Sequence, residues 1–85
     1  MNILIVGTGY VGLVSGACFS NLGHQVICVD NDSTKIESLL QGQIPFYEPG
    51  LPELVKQNRD AGRLHFSTSL SENLNNADIV FIRVY

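Results

Sequence analysis

The sequence predicts an α/β fold: a parallel sheet of about four strands in the order 3-2-1-4, with helices carrying the crossovers. Three observations lead there. Short aliphatic and β-branched runs alternate with helical segments along the whole chain, a glycine-rich turn stands between the first run and the first helix, and an acidic residue closes the second run. Eighty-five residues suffice for one compact unit, read here as a single domain over residues 1–85 with no second domain.

Ile3-Leu4-Ile5-Val6 is a continuous apolar run ending in Gly7, the pattern of a strand covered on both faces. From Tyr10 to Leu22 the apolar positions Val11, Leu13, Val14, Cys18, Phe19 and Leu22 recur at steps of three and four and predict helix 1, with Gly23 as its left-handed cap. Gln25 to Val29 repeats the strand pattern. Asp30-Asn31-Asp32 offers capping side chains, with Asp32 as the N-cap, for a helix carrying Ile36, Leu39 and Leu40 that stops at Gly42. Gln43 to Pro49 holds two prolines and no periodicity, hence a connecting loop, and Leu51, Leu54 and Val55 then mark a short amphipathic helix that Asp60-Ala61-Gly62 ends. Leu64-His65-Phe66 is a short third strand. Ser69 and Glu72 stand at capping-box spacing before a helical turn, and Ile79 to Val84 is a fourth strand of the buried type.

Composition excludes several functions. The chain is 45% hydrophobic and 15% charged with a net charge of −3, and its five basic residues are scattered, so no electrostatic footprint exists for nucleic acid or an anionic membrane. Val14-Ser15-Gly16-Ala17-Cys18 loosely resembles the small-residue site before a lipid-modified cysteine. That reading needs a basic start, yet no Lys or Arg precedes Lys35, and Gly7, Gly9 and Gly12 interrupt the apolar stretch. The expectation is a cytoplasmic protein. Cys18 and Cys28 lack a CxxC or histidine partner pattern, and each is expected to be a small core residue, with no metal or disulfide role. His24 follows the helix-ending Gly23 and His65 sits in a short strand; both are expected at the surface, and no catalytic residue is assigned.

The chemistry concentrates at Gly7-Thr8-Gly9-Tyr10-Val11-Gly12. A lone GxGxxG is a weak signal, but this one follows a predicted strand, opens a predicted helix and is followed, at about the twenty-residue spacing expected, by Asp30 at the end of the next strand. That conjunction marks a Rossmann-type dinucleotide-binding unit. Gly7 permits the tight turn, Gly9 removes the Cβ that would meet a pyrophosphate, and Gly12 lets the helix approach the sheet. The N–H groups of Tyr10, Val11 and Gly12 at the helix start point at the phosphates, so no lysine is needed. Asp30 is expected to accept from the adenosine-ribose hydroxyls and to repel a 2′-phosphate, which favours NAD over NADP. Lys35, one turn into the next helix, reaches the same ribose or the adenine edge, or else is a solvated surface lysine.

The strings from Gly7 to Val14, Leu22-Gly23-His24, Cys28-Val29-Asp30, Lys35-Ile36 and above all Pro45-Phe46-Tyr47-Glu48-Pro49-Gly50-Leu51 resemble the N-terminus of the UDP-glucose 6-dehydrogenases and their nucleotide-sugar relatives, including GDP-mannose 6-dehydrogenase. The resemblance runs from residue 1 to about residue 82. It implies an enzyme that oxidises the C6 alcohol of a nucleotide sugar to a carboxylate in two NAD-dependent steps through a thiohemiacetal on a catalytic cysteine. It also implies NAD contacts at Tyr10, Val11, Asp30 and Lys35. The family's catalytic cysteine lies in a later domain, in a glycine-rich motif that this sequence does not contain, so neither Cys18 nor Cys28 inherits the role. Where the family continues strand 4 into a small-residue loop, this chain reads Phe81-Ile82-Arg83-Val84-Tyr85. The expectation is therefore the N-terminal, ADP-holding portion of the NAD-binding domain, inactive alone, with the nucleotide-sugar substrate belonging to the full-length parent. Two alternatives stay open: a regulatory nucleotide-sensing module of the kind attached to potassium transport systems, which has no need of the Tyr47-Glu48-Pro49-Gly50-Leu51 segment, and a degenerate fragment that binds nothing. The edge of strand 4 leaves a homo-oligomer open as well.

Overall fold

The computed structural model describes residues 1–82. Its elements follow in the order β1 (Asn2–Val6), α1 (Tyr10–Asn21), β2 (Gln25–Val29), α2 (Ser33–Leu40), α3 (Leu51–Asp60), β3 (Leu64–Ser67), α4 (Leu70–Leu74) and β4 (Ile79–Ile82). The four strands are parallel and ordered β3-β2-β1-β4, as the alternation of strands and helices predicts. In register, Ile5 of β1 lies between Cys28 of β2 and Phe81 of β4. The order reverses at β1, so the crevice beyond the carboxyl ends of β1 and β4 is where this architecture receives a ligand.

Helix boundaries agree with the capping chemistry. Asp32 caps α2 by accepting from the N–H groups of Thr34 and Lys35, and Ser69 caps α4 by accepting from Glu72 N. The main core lies on one face of the sheet, where Ile3, Ile5, Val26, Cys28, Leu64 and Phe66 meet Leu13 and Ala17 of α1, Ile36 and Leu39 of α2, and Leu51 and Val55 of α3. Leu4 is buried outside that cluster, and α4 packs against β1. Arg59 donates to the carbonyls of Leu39 (3.3 Å) and Leu40 (3.0 Å), closing the C-terminal end of α2, while its guanidinium stands 5.8 Å from the centre of the Phe66 ring. Arg63 Nε donates to Ser20 O and to the buried Asn58. Two of the scattered basic residues are thus structural ties.

Two expectations are corrected. In α1 the buried residues are Gly12, Leu13, Gly16, Ala17 and Ser20, whereas Val11, Cys18 and Leu22 are exposed. The reason is distance. An alanine Cβ at Gly16 would stand 2.7 Å from Cys28 Sγ, so at that point the helix lies too close to the sheet for a side chain, and small residues join Leu13 on the inward face. Only Cys28 of the two cysteines is a core residue. The second correction concerns β4, whose apolar run predicts burial on both faces. Ile79, Val80, Phe81 and Ile82 are 38–72% exposed, because β4 is an outer strand of the described sheet, although Phe81 stacks on Phe19 of α1 at 5.4 Å between ring centres. The predicted extension of this strand to Val84, and the bulky Arg83 and Tyr85, lie outside the described residues. Among the described residues no helix is long and apolar enough to cross a membrane.

Candidate functional site

The site begins where β1 ends. Gly7 has φ of 109°, a left-handed conformation that an L side chain resists, and its N–H donates to Val29 O at 2.7 Å, tying the turn to the end of β2. Thr8 is buried, and Gly9 then serves as the N-cap of α1 in extended conformation. Gly9 has no side chain to cap the helix, the first turn carries no acidic residue, and the first intrahelical bond runs from Leu13 N to Gly9 O at 2.9 Å. The N–H groups at the start of α1 are therefore left without a capping side chain at the positive end of the helix dipole, an arrangement suited to an anion. Gly12 sets the approach of helix to turn: a Cβ there would lie 2.3 Å from the carbonyl oxygen of Gly7.

Asp30 stands across the turn at the end of β2 and has a second task that its spacing in sequence did not disclose. Its Oδ2 accepts from Thr8 N at 3.1 Å and from Thr8 Oγ1 at 2.7 Å, and its Oδ1 accepts from Asp32 N at 3.0 Å. A carboxylate has about four lone-pair positions, so about one remains, on Oδ1. Partial burial opposes ionisation of Asp30, but the hydrogen bonds from Asp32 and Thr8 and the charge of Lys35 outweigh it and hold the carboxyl below its usual range. Asp30 is thus ionised at neutral pH.

Gly7, Thr8, Gly9, Asp30 and Lys35 come together around a crevice of about 430 Å³, faced on its far side by Leu70 of α4. Lys35 is exposed, and its backbone N–H is committed to the Asp32 cap at 3.3 Å. Tyr10, Val11 and Gly12 stand at the start of α1 beyond the lining of this crevice, with Tyr10 and Val11 exposed. A larger and shallower concavity of about 710 Å³ lies under the loop between α2 and α3, walled by Pro45, Phe46, Glu48 and Pro52. It lacks the glycine turn and its donors. His24 lies with Nδ1 3.1 Å from the N-terminal amine, and the exposed His65 has Nε2 3.0 Å from Gly62 O, so both are peripheral to the crevice.

One contact was not legible as part of the site. The loop after α2 folds back so that the Phe46 ring meets the Tyr10 ring edge-on, with centres 5.2 Å apart and planes at 61°. The Tyr10 phenol is held above its ordinary range, chiefly by the acceptor oxygens of the nearby Glu48 carboxylate, then by desolvation and by that carboxylate's charge. The signal was an aromatic residue in a loop without periodicity, which sequence alone does not connect to a helix start more than thirty residues earlier.

Known proteins resemble this chain in sequence and in fold. The profile of the UDP-glucose/GDP-mannose dehydrogenase family, NAD binding domain, matches residues 1–85. A UDP-glucose 6-dehydrogenase of Rhizobium meliloti is 52% identical over 84 residues, which are 99% of this chain and 19% of that protein. A Bacillus subtilis UDP-glucose 6-dehydrogenase is 51% identical over the same proportions. Among solved structures, a ternary complex of GDP-mannose dehydrogenase from Pseudomonas aeruginosa superposes with a TM-score of 0.93 at 46% identity, covering 100% of this chain and 20% of that one. The chain spans about a fifth of the length of the curated relatives it matches.

Proposed function

Because this chain belongs to the UDP-glucose/GDP-mannose dehydrogenase family, as its NAD-binding domain, we propose that Gly7, Thr8, Gly9, Tyr10, Val11 and Gly12, with Asp30 and Lys35, hold the ADP half of NAD. The observation that carries this reading is the start of α1: a glycine N-cap, no capping side chain and no acidic residue in the first turn, set beside an ionised Asp30. These residues fit the cofactor. The N–H groups of Tyr10, Val11 and Gly12 take the pyrophosphate, and the close packing of Gly12 on Gly7 aims them. Asp30 keeps the turn closed through Thr8 and offers its remaining Oδ1 lone pair to one ribose hydroxyl. Lys35 balances the Asp30 charge from the rim of the crevice. Held by these residues, NAD would supply the hydride acceptor for an oxidation.

The parent activity we propose is oxidation of the C6 alcohol of a nucleotide sugar, of the UDP-glucose 6-dehydrogenase type. The chain contributes the cofactor's adenosine side and no nucleophile. Cys28 is buried, its thiol pushed up to about 12 by burial, and Cys18 is exposed on the face of α1 away from the sheet. We further propose that residues 1–85 are the N-terminal portion of a Rossmann domain, an assignment supported by the apolar exposure of β4 and by the 19% coverage of the relatives. The nucleotide-sensing alternative draws no support from these relatives, which are dehydrogenases.

Calorimetric titration of the chain with NAD and NADP tests the reading. A phosphate charge about 4 Å from a carboxylate is disfavoured by about 1 kcal/mol even at the dielectric of water, so NAD should bind at least about fivefold more tightly. Asp30→Asn keeps an acceptor and removes the charge, and should narrow that ratio. Equal affinities of the unsubstituted chain for the two nucleotides would remove the role given to Asp30.

A further inference from the structure

The loop between α2 and α3 touches the glycine turn at more than one point. Ile44 and Phe46 are half-buried against the core, which anchors the loop. Pro45 walls a small cavity of about 130 Å³ together with Thr8 and Lys35, and Phe46 meets the ring of Tyr10 edge-on. Tyr10 is the first residue of α1, and its own backbone N–H is one of the uncapped donors of the helix start. The preceding Gly9 imposes little on the backbone, since glycine lacks a Cβ. The Tyr10 side chain is then the handle by which the rest of the fold can orient this turn.

We propose that Phe46 is a positioning residue for the pyrophosphate turn: by meeting the ring of Tyr10 edge-on it holds the first N–H groups of α1 in the orientation that receives the anion. The inference rests on the reading of the turn given above. Phe46 need not touch the ligand. Phe46 supplies an edge-to-face contact whose worth, in the range of such pairs, corresponds to a factor of about two to ten in an equilibrium. The loop is therefore part of the binding apparatus as well as a connection.

The test measures ADP-ribose affinity by calorimetry and the ultraviolet titration of the Tyr10 phenol, isolated by difference from a Tyr10→Phe chain. Phe46→Ala should weaken ADP-ribose about two- to tenfold, and Phe46→Tyr, which keeps the ring, should restore the affinity. Phe46→Ala should also bring the Tyr10 titration to lower pH as the freed ring leaves the neighbourhood of Glu48, a change that a residue serving only loop stability would not produce. Should Phe46→Ala fail to fold by circular dichroism, Phe46→Leu carries the same comparison. Equal ADP-ribose affinity in the unsubstituted and loop-substituted chains would overturn the positioning role alone. Absence of ADP-ribose binding to the folded, unsubstituted chain would overturn the reading of the turn and this inference with it.

Discussion

Replacing Gly12 with alanine tests how tightly α1 is seated on the turn. The added Cβ would lie 2.3 Å from the Gly7 carbonyl oxygen and 3.2 Å from its carbon, about 0.7 Å inside the 3.0 Å floor for real Cβ contacts. The clashing atoms belong to the backbone, and the Gly7–Thr8 peptide that carries them is pinned by the 3.1 Å bond from Thr8 N to Asp30 Oδ2, so no side chain can rotate away. Overpacking costs about 1–3 kcal/mol, and a rigid backbone partner places this case near the upper end. Alanine recovers up to about 1 kcal/mol over glycine in a helix. The net is a loss of about 2 kcal/mol, or roughly 8–16 °C in Tm for a domain of this size. Thermal unfolding followed by circular dichroism reads the loss, and an ADP-ribose titration reads the displaced helix start, which should bind more weakly. Gly42→Ala is the control: Gly42 has φ of 86° and nothing within 4 Å of an added Cβ, so it should lose only the left-handed conformational term, about 1–2 kcal/mol, and leave ligand affinity unchanged. A Gly12→Ala chain that melts within about 2 °C of the unsubstituted one and binds equally well would refute the close seating of α1 and the argument built on it.

Other outcomes follow from the same geometry. Gly16→Ala should destabilise through the 2.7 Å approach to Cys28 Sγ, and Cys28→Ala should rescue part of that loss in the double variant, with a coupling of about 0.5–3 kcal/mol in chemical denaturation; strict additivity would contradict the packing. Asp30 has its folded-state carboxyl lowered, so its stabilisation is complete above the unfolded value of about 3.9 and is lost as pH falls through the lower folded value. Thr8→Val removes the 2.7 Å hydroxyl bond, raises the folded value toward the ordinary one, and should flatten the loss of stability as pH falls below the unfolded value of about 3.9; an unchanged pH profile would deny the coupling. A thiol reagent should modify Cys18 in the native chain and Cys28 only after unfolding, because the first is exposed and the second is buried with its thiol pushed up to about 12. Two equally fast thiols would place Cys28 at the surface.

Local chemistry made most of the fold legible. The apolar runs located all four strands, and Asp32 and Ser69 announced two helix starts through side chains that indeed accept from the first-turn amides. The strand order came from the parallel pattern and the handedness of crossovers, neither of which needs tertiary detail. What failed was the inside of α1. Its apolar residues surround the helix, so periodicity could not identify the buried face, which was set instead by the close approach that Gly12, Gly16 and Ala17 allow. For β4 the composition predicts burial, while the position of the strand at the sheet's edge decides exposure.

The site was legible to a similar depth. Glycine spacing and the acidic residue after β2 are local signals, and the structure gathers Gly7, Gly9, Asp30 and Lys35 around one crevice. The bond between Thr8 and Asp30 and the contact between Tyr10 and Phe46 are tertiary, joining residues distant in the chain, and no spacing rule carries them. Together they change the account of Asp30, which is a structural clasp of the turn as well as the proposed ribose acceptor.

The central claim is that the start of α1 and the end of β2 receive the ADP half of NAD. Amide NMR of the isotopically labelled chain, titrated with ADP-ribose, tests it residue by residue. The account predicts saturable shifts concentrated at Gly9, Tyr10, Val11 and Gly12, with Asp30 and Asn31 responding alongside. A folded chain whose shifts leave these amides untouched and gather instead beneath the loop of Pro45, Phe46 and Glu48 would contradict it.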